Sequence, residues 1–318
     1  MSDLRISAAP HINSGATTHN VMRDVVIALL PATIMGIVYF GWQALLVVLV
    51  CVASALLSEF LFNLVTKRKQ TLLDFSAIVT GLILALNLNI NVPLWQCALG
   101  SVFAIIVCKC LFGGLGKNIV NPAIGARVFL LLAFGTVMTG LANPTNPGVV
   151  IPEIYTTATP LAPLQTGSFD LMSLLLGTHG GTIGETCAIA LLLGYIYLVV
   201  RGVVKWYVPF AFIATTFVLF FIATGNVALS LAQVLAGGLL LGAIFMATDY
   251  VTTPLSKLGK VVFCIGCGLI TFVIRMQYFG FPGLATYPEG VSIAILFMNL
   301  LTPLIEKWTN PRTLGGVK

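Results

Sequence analysis

Charge is what this sequence has least of. Its 318 residues include sixteen Lys and Arg, ten Asp and Glu and three His, so that 8% are charged, where a soluble domain carries about 25%. So few charges cannot clothe a water-soluble globule of this size. Mean hydropathy is +1.03 and 58% of residues are hydrophobic, which excludes a soluble enzyme and makes lipid the solvent of most of the chain.

Several chemical signatures are also lacking. The glycines at 113, 114 and 116 precede Lys117, but without the spacing or the following Ser/Thr of a phosphate loop. A tight turn is the expectation there, and nucleotide hydrolysis is excluded. No dinucleotide fingerprint is present. No basic run exceeds Lys67-Arg68-Lys69, so nucleic acid is not an expected partner. Of the seven cysteines, Cys264-x-x-Cys267 has the spacing of a redox or metal pair. Without a second such pair or a nearby His it completes no metal set, and one face of a packed helix is its expected place. Residues 1–24 are polar, with no apolar stretch before a cleavage site, so no signal peptide is expected.

What is there is a succession of unbroken apolar runs, such as Ala44–Leu57 and Ile189–Val200. A transmembrane barrel would alternate polar and apolar residues, whereas about 20 continuous apolar residues make a spanning helix. The expectation is an all-α polytopic protein of about ten spans, near residues 25–41, 43–65, 74–92, 95–112, 122–140, 184–201, 207–224, 228–248, 260–278 and 290–306.

Charge then sets orientation. With the N-terminus inside, every Lys and Arg but Arg275 falls at a cytoplasmic end, and residues 128–200 contain neither. That segment holds the longest loop, about 141–183, which is placed outside, with both termini cytoplasmic. Five spans precede it and five follow, so the halves 25–140 and 184–306 would run in opposite senses as inverted repeats, between tails 1–24 and 307–318. Thr80-Gly-Leu-Ile-Leu-Ala-Leu in span three resembles Gly237-Gly-Leu-Leu-Leu-Gly-Ala in span eight. Each breaks into polar residues before a proline, at 87–93 and 248–254. Paired interrupted helices point to a buried site. Asp249 with Thr248, Asn87 and Asn121 are therefore candidates for an ion-coupling or cofactor site. The competing reading is that Asp249 caps a helix or pairs with Lys257 or Lys260.

The outer loop is rich in Pro, Thr and Gly and contains Glu153-Ile-Tyr-Thr-Thr-Ala-Thr159-Pro-Leu. Composition singles out none of its threonines. Several segments in order do carry a resemblance: Asp74-Phe-Ser-Ala-Ile-Val-Thr-Gly-Leu-Ile-Leu-Ala-Leu-Asn, Gly114-Leu-Gly-Lys-Asn-Ile-Val-Asn-Pro-Ala, Phe245-Met-Ala-Thr-Asp-Tyr-Val-Thr, and Arg275 with Tyr287-Pro-Glu-Gly-Val. Over nearly its whole length the chain resembles the family of D subunits of Rnf-type ion-translocating oxidoreductase complexes. More distantly it is similar to the B subunits of sodium-pumping NADH:quinone reductases.

The resemblance implies a urea-channel-like fold in a bacterial cytoplasmic membrane. It implies other Rnf subunits as partners, and electron transfer between ferredoxin and NAD pools coupled to Na⁺ or H⁺ translocation, with no complete active site in this chain. It further implies FMN joined by a phosphodiester to a threonine. The matching residues are Glu153, Thr156, Ala158 and the acceptor Thr159, with Glu standing where Asp is more usual. A flavin transferase would make the attachment. Ser14-Gly-Ala-Thr17 fits the core of that motif by letter, but it lacks the upstream acid and falls inside. Arg275 is a candidate counter-charge for the phosphate, a salt bridge to Glu289 being its alternative. A second, non-covalent flavin, riboflavin among the candidates, is implied near spans three and eight. The alternative class is a solute channel or secondary transporter of the same fold without redox chemistry.

Overall fold

The computed structural model describes residues 17–139, 171–177, 179–276 and 290–309. Glu153, Thr156, Ala158, Thr159 and Glu289 lie outside the described residues. Among those described, the protein is built of helices and connecting turns, without strands.

The first two helices show how the sequence writes its own boundaries. α1 (Thr18–Phe40) begins at Thr17, whose side chain accepts from the backbone N–H of Asn20, and it ends at Gly41 with φ of 69°. Thr17, the motif look-alike, is thus a helix cap. α2 (Trp42–Val65) follows at once. α3 (Ser76–Leu86) has only 11 residues, about 16 Å of helix, half the roughly 30 Å of a hydrocarbon core. It stops where asparagines offer the backbone other partners: the Asn87 amide donates to Ile83 O at 2.6 Å, and Asn89 Oδ1 accepts from the N–H of Asn91.

α4 (Leu94–Ile105) runs on into a π turn, Ile106–Cys110. α5 (Pro122–Ala133) starts from an Asn121 cap with proline in its first turn, and α6 (Gly135–Thr139) continues it after Phe134. Further along the chain come α7 (Leu171–Leu176), within the expected loop 141–183, then α8 (Ala188–Val200) and α9 (Tyr207–Thr224). α10 (Val227–Leu235) is broken from α11 (Leu239–Leu241, with the π turn Gly242–Met246) at Ala236-Gly-Gly. Gly237 takes a φ of 64° there, and the two pieces meet at 65°. α12 (Lys257–Met276) and α13 (Val291–Thr309) complete the chain.

Among the described residues, five helices are long and apolar enough to cross a membrane, or six if the bent α10–α11 pair counts as one span. Four shorter apolar helices, α3, α4, α5 and α8, accompany them. Each of the ten expected segments holds one of these. The exterior is apolar rather than charged: Leu57, Leu64, Val200, Ile222 and Leu269 are all exposed, as lipid contact requires. The chain is a multi-pass membrane protein.

The packing has a repeated pattern. In the first half α2 packs on α3 and α4, and α4 on α5; in the second α9 packs on α10 and α12, and α12 on α13. Across the halves α1 lies against α8 and α5 against α13. The α1–α8 contact is made close by glycine, because a Cβ on Gly194 would collide with Ala28 O.

Candidate functional site

Two places concentrate buried polar groups, and both lie where helices are interrupted. The first is a partly open cleft between the halves, whose roughly 770 Å³ of empty space includes open solvent. Val21 and Val25 of α1, Thr80 and Ile83 of α3, Leu198 of α8 and Phe245 of the π turn give it mostly apolar walls. Its polar rim is Ser76, Asn118, Asn121, Thr248 and Asp249, with Lys109 at one side.

Asn118 is buried, and its Oδ1 has no hydrogen-bond partner. Asn121 is committed: its Oδ1 accepts from the N–H of Ala123 at 3.1 Å, and its Nδ2 donates to Met246 O at 3.4 Å. Thr248 donates to Ile244 O. Asp249 accepts from the Thr252 hydroxyl at 3.0 Å and from the Val251 N–H at 3.4 Å. Those bonds favour its carboxylate, but burial outweighs them and raises the carboxyl above its ordinary range. No ion pair joins it to Lys257 or Lys260 among the described residues; Thr252 and the turn that carries it hold it instead. Three of the four grouped candidates, Thr248, Asp249 and Asn121, therefore share one cavity.

Asn87 does not join them. It belongs to the second place, a knot where both interrupted helices meet. The Arg127 guanidinium donates to both the Asn87 carbonyl and its side-chain oxygen, so that a cation of α5 closes the C-terminus of α3. Arg275 of α12 donates to Gln233 O and Ala236 O, closing the C-terminus of α10 in the same manner. The turn Thr182–Glu185 ties the two ends together. Ile183 and Gly184 donate their N–H groups to Leu88 O and Leu86 O at the end of α3, while Glu185 Oε2 lies 3.2 Å from where Gly238 would carry a Cβ, in the break of the second half. Glu185 is within electrostatic reach of both guanidiniums.

Arg275 is 7% exposed and bonds the end of α10; Thr159 and Glu289, the partners expected for it, lie outside the described residues. Arg127, counted among the charges at cytoplasmic ends, is 3% exposed inside the bundle. Lys109 is equally internal: it bridges both carboxylate oxygens of Glu59 at 2.9 Å and Ser76 Oγ at 2.8 Å.

Elsewhere the structure bears out the plainer readings. Cys264 and Cys267 are buried one turn apart in α12. The glycines at 113, 114 and 116 take φ of 115°, 95° and 88° in a turn.

Sequence reasoning missed Arg127, Glu185, Lys109, Glu59 and Asn118. An ionisable residue inside an apolar stretch was the available signal for Lys109 and Glu59. It also missed the tryptophans. All four are exposed, Trp42 and Trp95 at the starts of α2 and α4, Trp206 before α9 and Trp308 near the end of α13, as in the aromatic belts of membrane proteins.

The profile of the NQR2, RnfD, RnfE family matches residues 5–315. The chain is 42% identical to the D subunit of the Na⁺-translocating ferredoxin:NAD⁺ oxidoreductase complex of Acetobacterium woodii, over 99% of this chain and 96% of that one. It is 35% identical to the D subunit of the proton-translocating ferredoxin:NAD⁺ oxidoreductase complex of Clostridium ljungdahlii, over 98% and 96%. It is 36% identical to the D subunit of the ion-translocating oxidoreductase complex of Stutzerimonas stutzeri, over 94% and 93%.

Proposed function

Because the chain belongs to the NQR2, RnfD, RnfE family, we propose that it is the flavin-carrying membrane subunit of an Rnf-type complex. There it passes electrons while the complex couples ferredoxin–NAD⁺ electron flow to Na⁺ or H⁺ translocation. The observation that carries this reading is similarity over nearly the full length to relatives named as D subunits of such complexes. The remaining Rnf subunits supply the ferredoxin and NAD sites that this sequence lacks.

Covalent FMN at Thr159 is the decisive element. A phosphodiester keeps the flavin at the membrane surface while leaving its ring free for electron transfer. The chain co-expressed with a flavin transferase should fluoresce on a denaturing gel, and Thr159→Ala should abolish the signal. A non-fluorescent wild-type band would instead favour the solute-channel or transporter reading, to which the interrupted helices also lend themselves.

The cavity beside Asp249 is our candidate for the second, non-covalent flavin. Its apolar walls suit a planar ring, and the unpartnered Asn118 Oδ1 suits a ring N–H. Such a flavin supplies one- and two-electron chemistry; Asn118 would orient it, and the aliphatic walls would exclude water. Asn118→Leu should lower the extractable flavin of the complex without touching gel fluorescence.

Ten crossings as two inverted five-helix repeats, with both termini cytoplasmic, remain our reading of the topology. It is supported by the matching packing of the halves. The tryptophans agree, since that topology assigns Trp42 and Trp95 to the outer face and Trp206 and Trp308 to the inner.

A further inference from the structure

Four segments of the second half turn at one end of the bundle and leave a pocket between them. Its lining includes Lys205 from the turn after α8, Val208 from the first turn of α9, Thr248, Tyr250 and Thr253 from the chain beyond the π turn, and Lys260 from the first turn of α12. Its roughly 630 Å³ of empty space includes open solvent, so the pocket is a basin with an open mouth.

The chemistry of this basin is cationic. Lys205 and Lys260 bring two ammonium groups, and among the described residues that line it there is no acid. The N-termini of α9 and α12, where the two lysines sit, add partial positive charge. The surrounding hydroxyls are already spent on the backbone: Thr248 donates to Ile244 O, Thr253 to Asp249 O and Tyr250 to Val203 O. Recognition of a ligand therefore falls to the lysines, which are point charges suited to a phosphate. Asp249, which lies between two lining residues in the chain, lines the neighbouring cleft instead and accepts from Thr252 and from the Val251 N–H.

The surroundings of the mouth say which kind of phosphate fits. Trp206, next to Lys205, is 61% exposed, and exposed tryptophans sit at headgroup level in membrane proteins. Val200, Leu255 and Leu258, in the segments that flank the pocket, are also exposed. A soluble anion leaves such apolar surface uncovered, whereas acyl chains cover it. Basic pockets between membrane helices are suited to anionic headgroups. We propose that this pocket binds an anionic phospholipid, its phosphate held by Lys205 and Lys260 and its acyl chains lying on the apolar flank. Val203, Val204, Thr248 and Tyr250 line both this pocket and the cleft beside Asp249, so the bound lipid braces a wall that the two share.

The test uses the full chain in a neutral detergent and reads lipid binding directly, so its outcome is independent of flavin attachment and electron transfer. The purified protein is titrated with phosphatidylglycerol or phosphatidylcholine in mixed micelles, and retained lipid is counted by native mass spectrometry. Phosphatidylglycerol should be retained and phosphatidylcholine should not. A lysine near the membrane surface contributes about five-fold to anionic-lipid affinity, so Lys205→Gln/Lys260→Gln should bind about 30-fold more weakly. Lys67→Gln/Lys69→Gln removes the same charge from the exposed turn after α2 and should bind as wild type does. Excess glycerol 3-phosphate should leave the lipid in place.

Equal retention of the two lipids would overturn the proposal, as would a pocket variant that binds no more weakly than the Lys67/Lys69 control. Displacement by glycerol 3-phosphate would overturn it in favour of a soluble phosphate ester. Should the pocket variant fail to fold, Lys205→Gln alone, at an exposed position, should bind about five-fold more weakly, and an unchanged affinity there would overturn the proposal.

Discussion

Replacing Lys109 by methionine removes the cation from the most completely satisfied polar network in the described structure. The ammonium spends its three N–H bonds on Glu59 Oε1, Glu59 Oε2 and Ser76 Oγ, at 2.8–2.9 Å. Glu59 Oε1 also accepts from Thr71, whose hydroxyl in turn accepts from Asn63. Both charged side chains are at most 3% exposed. Without Lys109 the Glu59 carboxylate is left with one hydroxyl donor in an apolar bundle. Breaking a buried pair from one side costs about 3–5 kcal/mol, whereas exchanging both partners for apolar residues of similar volume is often neutral or stabilising.

Lys109→Met should therefore lower the melting temperature of the detergent-solubilised protein by on the order of 10 °C, followed by the loss of its monodisperse elution peak on heating. The double variant Lys109→Met/Glu59→Leu should recover most of that loss. A single variant that loses less than about 1 kcal/mol would refute the reasoning, because the pair would then not be buried as described. A double variant as unstable as the single would show that packing, not charge, is what Lys109 contributes.

The other expectations concern separate parts of the molecule. Burial raises the Asp249 carboxyl, so the fold favours its protonated form. That contribution to stability is complete at acid pH below the ordinary aspartate value, and it is lost as pH rises through the raised folded value. Asp249→Asn should flatten this part of the pH–stability curve and leave the protein no less stable at neutral pH; a lower neutral-pH melting temperature would contradict it. If Asp249 also serves ion coupling, redox-driven ion uptake by vesicles should fall in the same variant, and undiminished uptake would end that role. Gly194→Ala drives a methyl into Ala28 O and should cost about 1–3 kcal/mol through strain at the α1–α8 contact, measured as a lowered melting temperature.

Much of the architecture was legible because lipid imposes a simple rule on sequence. Apolar runs such as 43–65 and 207–224 have little choice but to be helices, and α2 and α9 occupy them within a residue or two. The break of α3 could be read from three asparagines and a proline, since those side chains compete for backbone bonds. The break at Ala236-Gly-Gly was harder to see, because small residues in an apolar run also serve close packing.

Tertiary charge pairing was not legible. Arg127 lies five residues into α5, near a cluster of Gly, Lys and Asn, and by local context it read as a charge at the membrane surface. Its partner is Asn87, 40 residues earlier. Glu185 lies at the start of the expected span 184–201; nothing local reveals that the guanidiniums of residues 127 and 275 come within its electrostatic reach. Periodicity finds helices, but it does not say which helix ends meet.

The pairing of α1 with α8 and of α5 with α13 bears on how the molecule is made. When the first five helices have left the ribosome, the groove beside Ala28 and the flank of α5 still await partners encoded well over a hundred residues later. The Leu86 and Leu88 carbonyls at the end of α3 are open until Ile183 and Gly184 arrive. In lipid such open carbonyls are costly, so the first half is a poor stopping place for an inserting chain. Completion of the membrane domain becomes a late, all-or-none event that waits for the last helix. A chain truncated before α13 has no stable half to fall back on and should be removed by membrane quality control rather than accumulate.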